Sequence, residues 1–186
     1  MKYIAIASPS GGGKTILANM LAKDKSIGNF KKAISYTTRN KRPNEIHGID
    51  YYFVDKKTFD ELYKNNQMLE KELVHNEKYG ISKISIEKAK KENADGIVFV
   101  VDTNGAEKLK KLHPKETITV FILPPNMEQL EKRLKERGTE TPEEISLRLK
   151  NARTEIAKYK NFDLLIVNNS LGQAYNDLKL GILSKE

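Results

Sequence analysis

The chain contains no cysteine and no tryptophan. Without cysteine it can form neither a disulfide framework nor a thiolate metal site. None of its apolar runs approaches the ~20 residues that a membrane-spanning helix requires. The apolar run nearest the N-terminus is Tyr3–Ala7, which is too short for the hydrophobic region of a signal peptide. These absences predict a cytoplasmic protein with no membrane partner.

Acidic residues are also scarce, because 25 Asp and Glu stand against 33 Lys and Arg, for a net charge of +8. A basic protein can attract nucleic acid, or it can bind several phosphate groups at once. The lysine-rich runs 88–91 and 108–111 lie on helical patterns and are typical of solvated faces. No nucleic-acid-binding motif accompanies the charge. We therefore expect no nucleic-acid partner, and a nucleic-acid-binding ATPase stays an alternative that charge alone suggests.

The most informative motif is Ser8–Thr15, with the sequence S-P-S-G-G-G-K-T, which lies between a predicted strand and a predicted helix. Glycines allow backbone N–H groups to converge on an anion, and the helix adds its positive N-terminus. In this pattern Lys14 reaches the β- and γ-phosphates of a nucleotide, and the Thr15 hydroxyl binds Mg²⁺. The motif predicts a nucleoside-triphosphate site formed by Ser10, Gly11, Gly12, Gly13, Lys14 and Thr15.

Strands and helices alternate along the chain. Strands are predicted at Tyr3–Ala7, Lys32–Ser35, Tyr51–Val54, Ile97–Val101, Thr117–Leu123 and Leu164–Val167. Helices are predicted at Lys14–Lys23, Lys57–Asn65, Ser82–Glu92, Gly105–Leu112, Met127–Arg137, Pro142–Tyr159 and Gly172–Leu183. Three of the strands contain nearly unbroken apolar runs, at Ile97–Val101, Val120–Leu123 and Leu164–Val167. Such runs are typical of a parallel sheet covered by helices on both faces. The pattern predicts an α/β fold with ligands at the carboxyl ends of the strands.

Two polar segments interrupt this alternation. The first, residues 34–81, is rich in Tyr, Arg, Asn and Glu, and the second, residues 125–158, is a charged helical pair. We expect the first to be an acceptor-binding insert with a small mixed sheet, and the second to be a helical lid. Residues 1–33, 82–124 and 159–186 would then form the core, which contains a parallel five-stranded sheet flanked by helices.

Paired arginines open the first polar segment. Its sequence begins S-Y-T-T-R at residues 35–39 and continues to Arg42 and Pro43. Guanidinium groups bind phosphate in a planar and often bidentate way, so Arg39 and Arg42 suit a phosphate monoester. Taken alone, these two residues could equally be surface arginines of a loop.

The motifs together, from residue 4 to about residue 180, resemble those of the guanylate kinase family. That family combines a phosphate loop with S-x-T-T-R-x-x-R, D-Y-x-F, F-x-E, Y-G, R-G-T and V-x-N in this order. The resemblance implies a P-loop kinase that transfers the γ-phosphoryl group of ATP to GMP with Mg²⁺, giving ADP and GDP. The sequence distinguishes neither GMP from dGMP nor a monomer from a homodimer.

The resemblance also implies individual roles. Glu70 would read guanine, whose N1–H and N2–H donors a carboxylate can accept together. Asp102 would lie beside the acceptor. The GMP phosphate would be held by Ser35, Arg39, Arg42, Tyr51 and Tyr79. The ATP side would include Arg133, Arg137, Arg148 and Asn168, of which Asn168 would lie near the adenine. The catalytic group would be Lys14, Arg39, Arg137 and Arg148.

Two of the departures from the family pattern affect the expected chemistry. Val100 replaces the first aspartate of D-x-D-x-Q-G, and Ile81 replaces the hydroxyl residue after Tyr-Gly, with Ser82 one residue later. We expect weakened Mg²⁺ dependence or slower turnover, and looser base selectivity. A nucleoside monophosphate kinase of altered base specificity is therefore an alternative, as is a non-catalytic guanylate-kinase-like interaction module. Against the second alternative, such modules typically lose the loop lysine, and this chain retains Lys14 and Thr15.

Overall fold

The structure is a computed structural model that describes residues 1–74 and 76–185. Its strands are β1 (Lys2–Ala7), β2 (Phe30–Lys32), β3 (Ser35–Thr37), β4 (Tyr51–Phe53), β5 (Met68–Val74), β6 (Glu77–Ser82), β7 (Gly96–Val101), β8 (Thr117–Leu123) and β9 (Leu164–Val167). Its helices are α1 (Lys14–Lys23), α2 (Lys56–Lys64), α3 (Lys83–Lys91), α4 (Thr103–Leu112), α5 (Met127–Arg137), α6 (Pro142–Ile156) and α7 (Leu171–Leu183).

The predicted five-stranded parallel sheet is confirmed, with the strand order β2-β7-β1-β8-β9. Alternate residues of its strands enter two separate apolar clusters, one on each face. Ala5 and Phe99 belong to the first cluster, and Ile4 and Val98 belong to the second. Both faces are therefore buried, as the apolar strands predict. The sheet places the carboxyl ends of β1 and β7 side by side, since Ala7 pairs with Val101.

The predicted small mixed sheet is also confirmed, with the order β4-β3-β6-β5. Strand β3 is parallel to β4 and antiparallel to β6. The single predicted strand Lys32–Ser35 is wrong, because its residues divide between the two sheets. The Ala33 amide still bonds the core sheet at Val98 O, whereas the Ile34 amide donates to Ser85 Oγ and the chain leaves that sheet.

Helices α5 and α6, the helical pair, pack on each other through Leu130, Leu134, Ile145 and Ala152. Gly138 ends α5 with a φ of 66°, in the left-handed region that glycine adopts readily. Thr141 then begins α6 with a capping box. Helix α5 has the predicted bounds, but α6 ends at Ile156 because a short 3₁₀ turn follows. Among the described helices, none is both long and apolar enough to cross a membrane.

Candidate active site at the edge of the parallel sheet

A cavity of about 760 Å³ opens at the carboxyl ends of β1 and β7. The phosphate loop, the four-stranded sheet and the helical pair all contribute to its wall, and its volume is typical of a small-molecule site. Its lining includes every residue that the sequence places in the site except Gly12. These residues are Ser10, Gly11, Gly13, Lys14, Thr15, Ser35, Arg39, Arg42, Tyr51, Glu70, Tyr79, Asp102, Arg133, Arg137, Arg148 and Asn168.

Glycine shapes the phosphate loop. Gly11 and Gly13 have φ angles of 88° and 98°, a backbone conformation that other residues rarely adopt. Between them, the Gly12 amide donates to Pro9 O at 3.0 Å. Helix α1 begins at Lys14 directly after this turn, so its N-terminus adjoins the cavity. The loop is therefore a tight glycine turn that leads from β1 into α1, as the sequence motif predicts.

Asn168, which follows β9, supports this loop. The residue is 2% exposed, and its Nδ2 donates to Gly12 O at 2.9 Å. A Cβ atom on Gly13 would collide with the same amide nitrogen. Arg133 of α5 in turn donates from Nη2 to Asn168 O at 2.9 Å. Asn168 lines the cavity, but its side-chain amide nitrogen binds the phosphate loop. Nothing in the sequence indicates this contact.

Lys14 is the cation of the phosphate loop. Its Nζ donates to Ser8 O at 3.1 Å, so the ammonium group curls back over the turn. Burial lowers the pKa of Lys14, and the nearby charge of Glu155 opposes that shift, whereas Arg137 reinforces it. Thr15 follows on the first turn of α1 and lines the cavity. An ammonium group and a hydroxyl thus lie next to each other at the helix N-terminus.

The helical pair adds further positive charge. Arg137 and Arg148 both donate to Ser10 Oγ in the phosphate loop, at 3.3 and 3.1 Å. Both also lie near the carboxylate of Glu140, which a third cation, Arg42, approaches from the loop between β3 and β4. Sequence reasoning assigns no role to Glu140.

Glu45 organises the arginines of the other wall. Its Oε1 accepts from Arg39 Nη2 at 2.7 Å, and its Oε2 accepts from the Arg42 backbone amide at 2.9 Å. The Arg39 guanidinium also lies 5.5 Å from the ring centroid of Tyr51, within cation–π range. Burial, with a smaller effect from Tyr79, raises the pKa of Tyr51 to about 12, so its hydroxyl stays protonated. Sequence reasoning missed Glu45, although its position three residues after Arg42 is a usable signal.

Glu70 lies on β5, where the β5–β6 ladder is irregular between Met68 and Lys71. Such irregularities re-aim side chains and are frequent beside active sites. The Oε2 atom of Glu70 is buried and has no hydrogen-bond partner among the described residues. Because buried carboxylate oxygens are normally paired, this atom is suited to accept N–H groups from a ligand.

The surroundings of Glu70 are acidic. Burial, followed by the charges of Glu72 and Asp102, raises the pKa of Glu70 to about 7. Lys108 of α4 opposes that shift, and it donates a hydrogen bond to Glu72. Asp102 itself caps α4 by accepting from the Gly105 amide at 2.7 Å. Glu70, Glu72 and Asp102 are therefore neighbouring carboxylates on the cavity wall, and Lys108 beside them offsets part of their charge.

The two departures from the family pattern also line the cavity. Val100 is partly buried on β7, and Ile81 is 1% exposed on β6. Ser82 is fully buried, and it is not among the described residues that line the cavity. Ser82 therefore does not supply the hydroxyl that Ile81 lacks.

A glycine turn shaped for phosphates faces a sheet with paired arginines across one cavity, which is suited to bring two phosphorylated compounds together. With the parallel sheet beneath it, this arrangement defines a P-loop nucleoside monophosphate kinase.

Comparison with known proteins identifies the family. The guanylate kinase family model matches residues 1–185. A guanylate kinase of Bartonella henselae is 40% identical over 174 residues, which cover 94% of this chain and 77% of that protein. One of Blochmanniella floridana is 42% identical over 183 residues, covering 97% and 85%. The crystal structure of guanylate kinase from Anaplasma phagocytophilum matches with a TM-score of 0.77 and 27% identity, covering 99% and 85%. The chain belongs to the guanylate kinase family, and its activity is the phosphorylation of GMP with ATP as the phosphoryl donor.

Proposed function

We propose that GMP binds over the four-stranded sheet, that ATP binds over the phosphate loop, and that the γ-phosphoryl group passes directly between them. One observation carries this assignment: a single cavity has Lys14 and its glycine turn on one wall and the unpartnered Glu70 carboxylate oxygen on another. Phosphoryl transfer needs no covalent intermediate with the protein, because positioning and charge neutralisation supply most of the catalysis.

On the acceptor side, Glu70 accepts the N1–H and N2–H groups of guanine. Adenine lacks that pair of donors, so AMP would leave the buried carboxylate unsatisfied. The guanidinium groups of Arg39 and Arg42, which contact Glu45, hold the GMP phosphate. The hydroxyl groups of Ser35, Tyr51 and Tyr79 bind it as well. Asp102 lies beside the acceptor at the end of β7.

On the donor side, the turn Ser10–Thr15 wraps the ATP phosphates with backbone N–H groups. Lys14 and the guanidinium groups of Arg137 and Arg148 spread the negative charge that develops during transfer. Both arginines donate hydrogen bonds to Ser10 of the phosphate loop, so the helical pair contacts the loop that binds the donor. Arg133 and Asn168 complete the ATP side.

Mg²⁺ fits the Thr15 hydroxyl. Mg²⁺ prefers oxygen ligands and is usually held by one or two protein groups plus water and substrate phosphates. In the described part of the chain, no cluster of three or more His, Asp or Glu side chains forms a metal cage, which agrees with a Mg²⁺ that binds with the nucleotide. When bound, it would neutralise phosphate charge.

The base and the phosphates have contacts in this assignment, whereas the ribose 2′-hydroxyl has none. We therefore propose that dGMP is also a substrate. The net charge of +8 serves two polyanionic nucleotides rather than nucleic acid. We place the protein in the cytoplasm.

The test is an ADP-release assay with ATP, Mg²⁺ and a panel of GMP, dGMP, AMP, CMP, UMP and dTMP. We expect GMP and dGMP to turn over far faster than the others. Lys14→Met should lower kcat about 10³-fold, since it removes a donor aimed at the developing charge. Lys23→Met, at the exposed end of the same helix, is the matched control.

Two results would contradict the proposal. Fastest turnover with another monophosphate would overturn the role of Glu70 and favour a kinase of altered base specificity. No turnover with any member of the panel, by protein shown to be folded, would favour a non-catalytic interaction module.

A further inference from the structure

Glu140 lies between three guanidinium groups, although only 2% of its side chain is exposed. Arg42 Nη2 is 3.2 Å from Glu140 Oε1, and Arg148 Nη2 is 3.8 Å from the same oxygen. Arg137 donates from Nε to Oε2 at 3.1 Å and also binds Oε1 through Nη2. Thr139 donates its hydroxyl to Oε2 at 2.8 Å. All of these contacts converge on one buried carboxylate.

The charge of Glu140 holds this cluster together. Burial alone would raise the pKa of Glu140, but hydrogen bonds from Arg137 and Thr139 and the charges of Arg137 and Arg148 lower it overall. The arginines repel one another: burial, then the charges of Arg137 and Arg39, lower the pKa of Arg42. A buried carboxylate among like-charged guanidinium groups offsets that repulsion.

The cluster connects two parts of the chain that lie far apart in sequence. Arg137 and Arg148 belong to the helical pair, and Glu140 lies in the turn between its helices. Arg42 comes from the loop between β3 and β4, 98 residues before Glu140. Glu131 and Glu136, by contrast, pair with lysines of their own helix at its surface. Glu140 thus connects the helical pair to the loop between β3 and β4, which form two walls of the cavity.

We propose that Glu140 is a positioning residue that couples the binding of GMP to the binding of ATP. This inference rests on the proposed function, in which Arg42 binds the GMP phosphate and Arg137 and Arg148 bind the ATP phosphates. Each nucleotide favours the arrangement in which the two walls meet at Glu140. Since both ligands then bias one equilibrium, each tightens the binding of the other by the same factor.

The experiment measures that factor by calorimetry. The dissociation constant of GMP is measured alone and with saturating Mg²⁺ and a non-hydrolysable ATP analogue. In the wild type, the analogue should tighten GMP binding by about tenfold or more. Glu140→Gln preserves shape but removes the charge, so the factor should fall below about threefold while each nucleotide alone binds within about threefold of wild type. Glu136→Gln, whose side chain is 62% exposed on α5, is the matched control and should retain the wild-type factor.

A second variant keeps the test decisive if the glutamine variant does not fold. Glu140→Asp shortens the side chain and weakens its reach toward Arg42, so we expect a factor between those of the wild type and the glutamine variant. A wild-type factor in either variant would overturn the inference. The inference would also be overturned if GMP and the analogue both bind the wild type but neither changes the affinity for the other. That result would leave the proposed function intact. A wild type that binds neither nucleotide would instead overturn the proposed site, and this inference with it.

Discussion

Ile81 lies directly opposite Ser35 across the antiparallel β6–β3 pair. Paired residues of neighbouring strands share a face of the sheet, and both of these line the cavity. A buried hydrocarbon therefore adjoins the hydroxyl that we assign to the GMP site. We therefore expect a substitution at Ile81, rather than one in the phosphate loop, to increase the selectivity for the base.

Ile81→Ser should raise the preference for GMP over AMP by about tenfold, because a hydroxyl can hydrogen-bond the guanine edge. The measurement is kcat/KM for both monophosphates. Ile81→Ala is the control, since it opens the same space without a hydroxyl and should lower the free energy of unfolding by about 2–5 kcal/mol. Equal discrimination by the wild type and the serine variant would contradict the prediction.

Glu70→Gln should lower kcat/KM for GMP by about 10²- to 10⁴-fold. The amide has one acceptor oxygen instead of two, and its NH₂ group opposes the guanine donors. Activity with AMP should change little. Glu87→Gln, on the exposed face of α3, is the control. A GMP rate close to that of the wild type would remove Glu70 from the recognition of the base.

The activity should depend on the ionisation of Glu70, whose pKa burial and then Glu72 and Asp102 raise to about 7. Because the protonated form accepts guanine poorly, kcat/KM for GMP should fall as the pH drops through about 7. Glu70→Gln should lack this acid limb. Lys108→Met should move it to higher pH, since Lys108 opposes the rise. A wild-type profile without an acid limb near this pH would contradict the assignment.

The effect of pH on stability should be opposite to its effect on activity at Glu70. Its pKa rises on folding from an ordinary value of 4.5 to about 7. Between these values the folded state binds more protons than the unfolded state, so this residue's contribution to the free energy of unfolding grows as the pH falls from 7 to 4.5. Denaturant titrations of the wild type and Glu70→Gln over this range measure the difference. A difference that is independent of pH would argue against a raised pKa.

Val100→Asp should change the Mg²⁺ requirement. The valine lines the cavity on the strand that ends beside Asp102, so an aspartate there adds a carboxylate near the ion. We expect half-maximal rate at an Mg²⁺ concentration about fivefold lower, together with faster turnover. Val100→Asn, of similar shape without charge, is the control. An unchanged rate and Mg²⁺ requirement in Val100→Asp would contradict the prediction.

Much of the fold could be predicted because the relevant signals are local. The apolar strands β7, β8 and β9 are recognisable from their side chains alone. Strands β5 and β6 are not predicted because neither has a continuous apolar run: three charged residues interrupt β5, and β6 is mostly polar. They form by pairing with each other, and β6 also pairs with β3. The predicted strand Lys32–Ser35 was wrong for a related reason, since tertiary bonds divide it between two sheets.

The site shows the same division between local and distant information. Lys14 and Thr15 are marked by the glycines beside them, and Arg39 and Arg42 by their spacing. Nothing near Glu140 in the sequence indicates its contact with Arg42 in the loop between β3 and β4, because Arg42 lies 98 residues away. The roles of individual site residues stay predictions until the variants are measured.

The bond from Asn168 to the phosphate loop has a consequence for biosynthesis. It joins residues 156 positions apart, so a growing chain carries the whole glycine turn long before the amide that braces it. At about 5–20 residues per second, the interval is roughly 8–30 s. We therefore expect the nascent chain to lack a finished nucleotide site during that time, so that ATP does not act as an early folding template. Chains stalled on the ribosome before residue 168 should accordingly fail to retain an ATP analogue, whereas chains released after α7 should bind it.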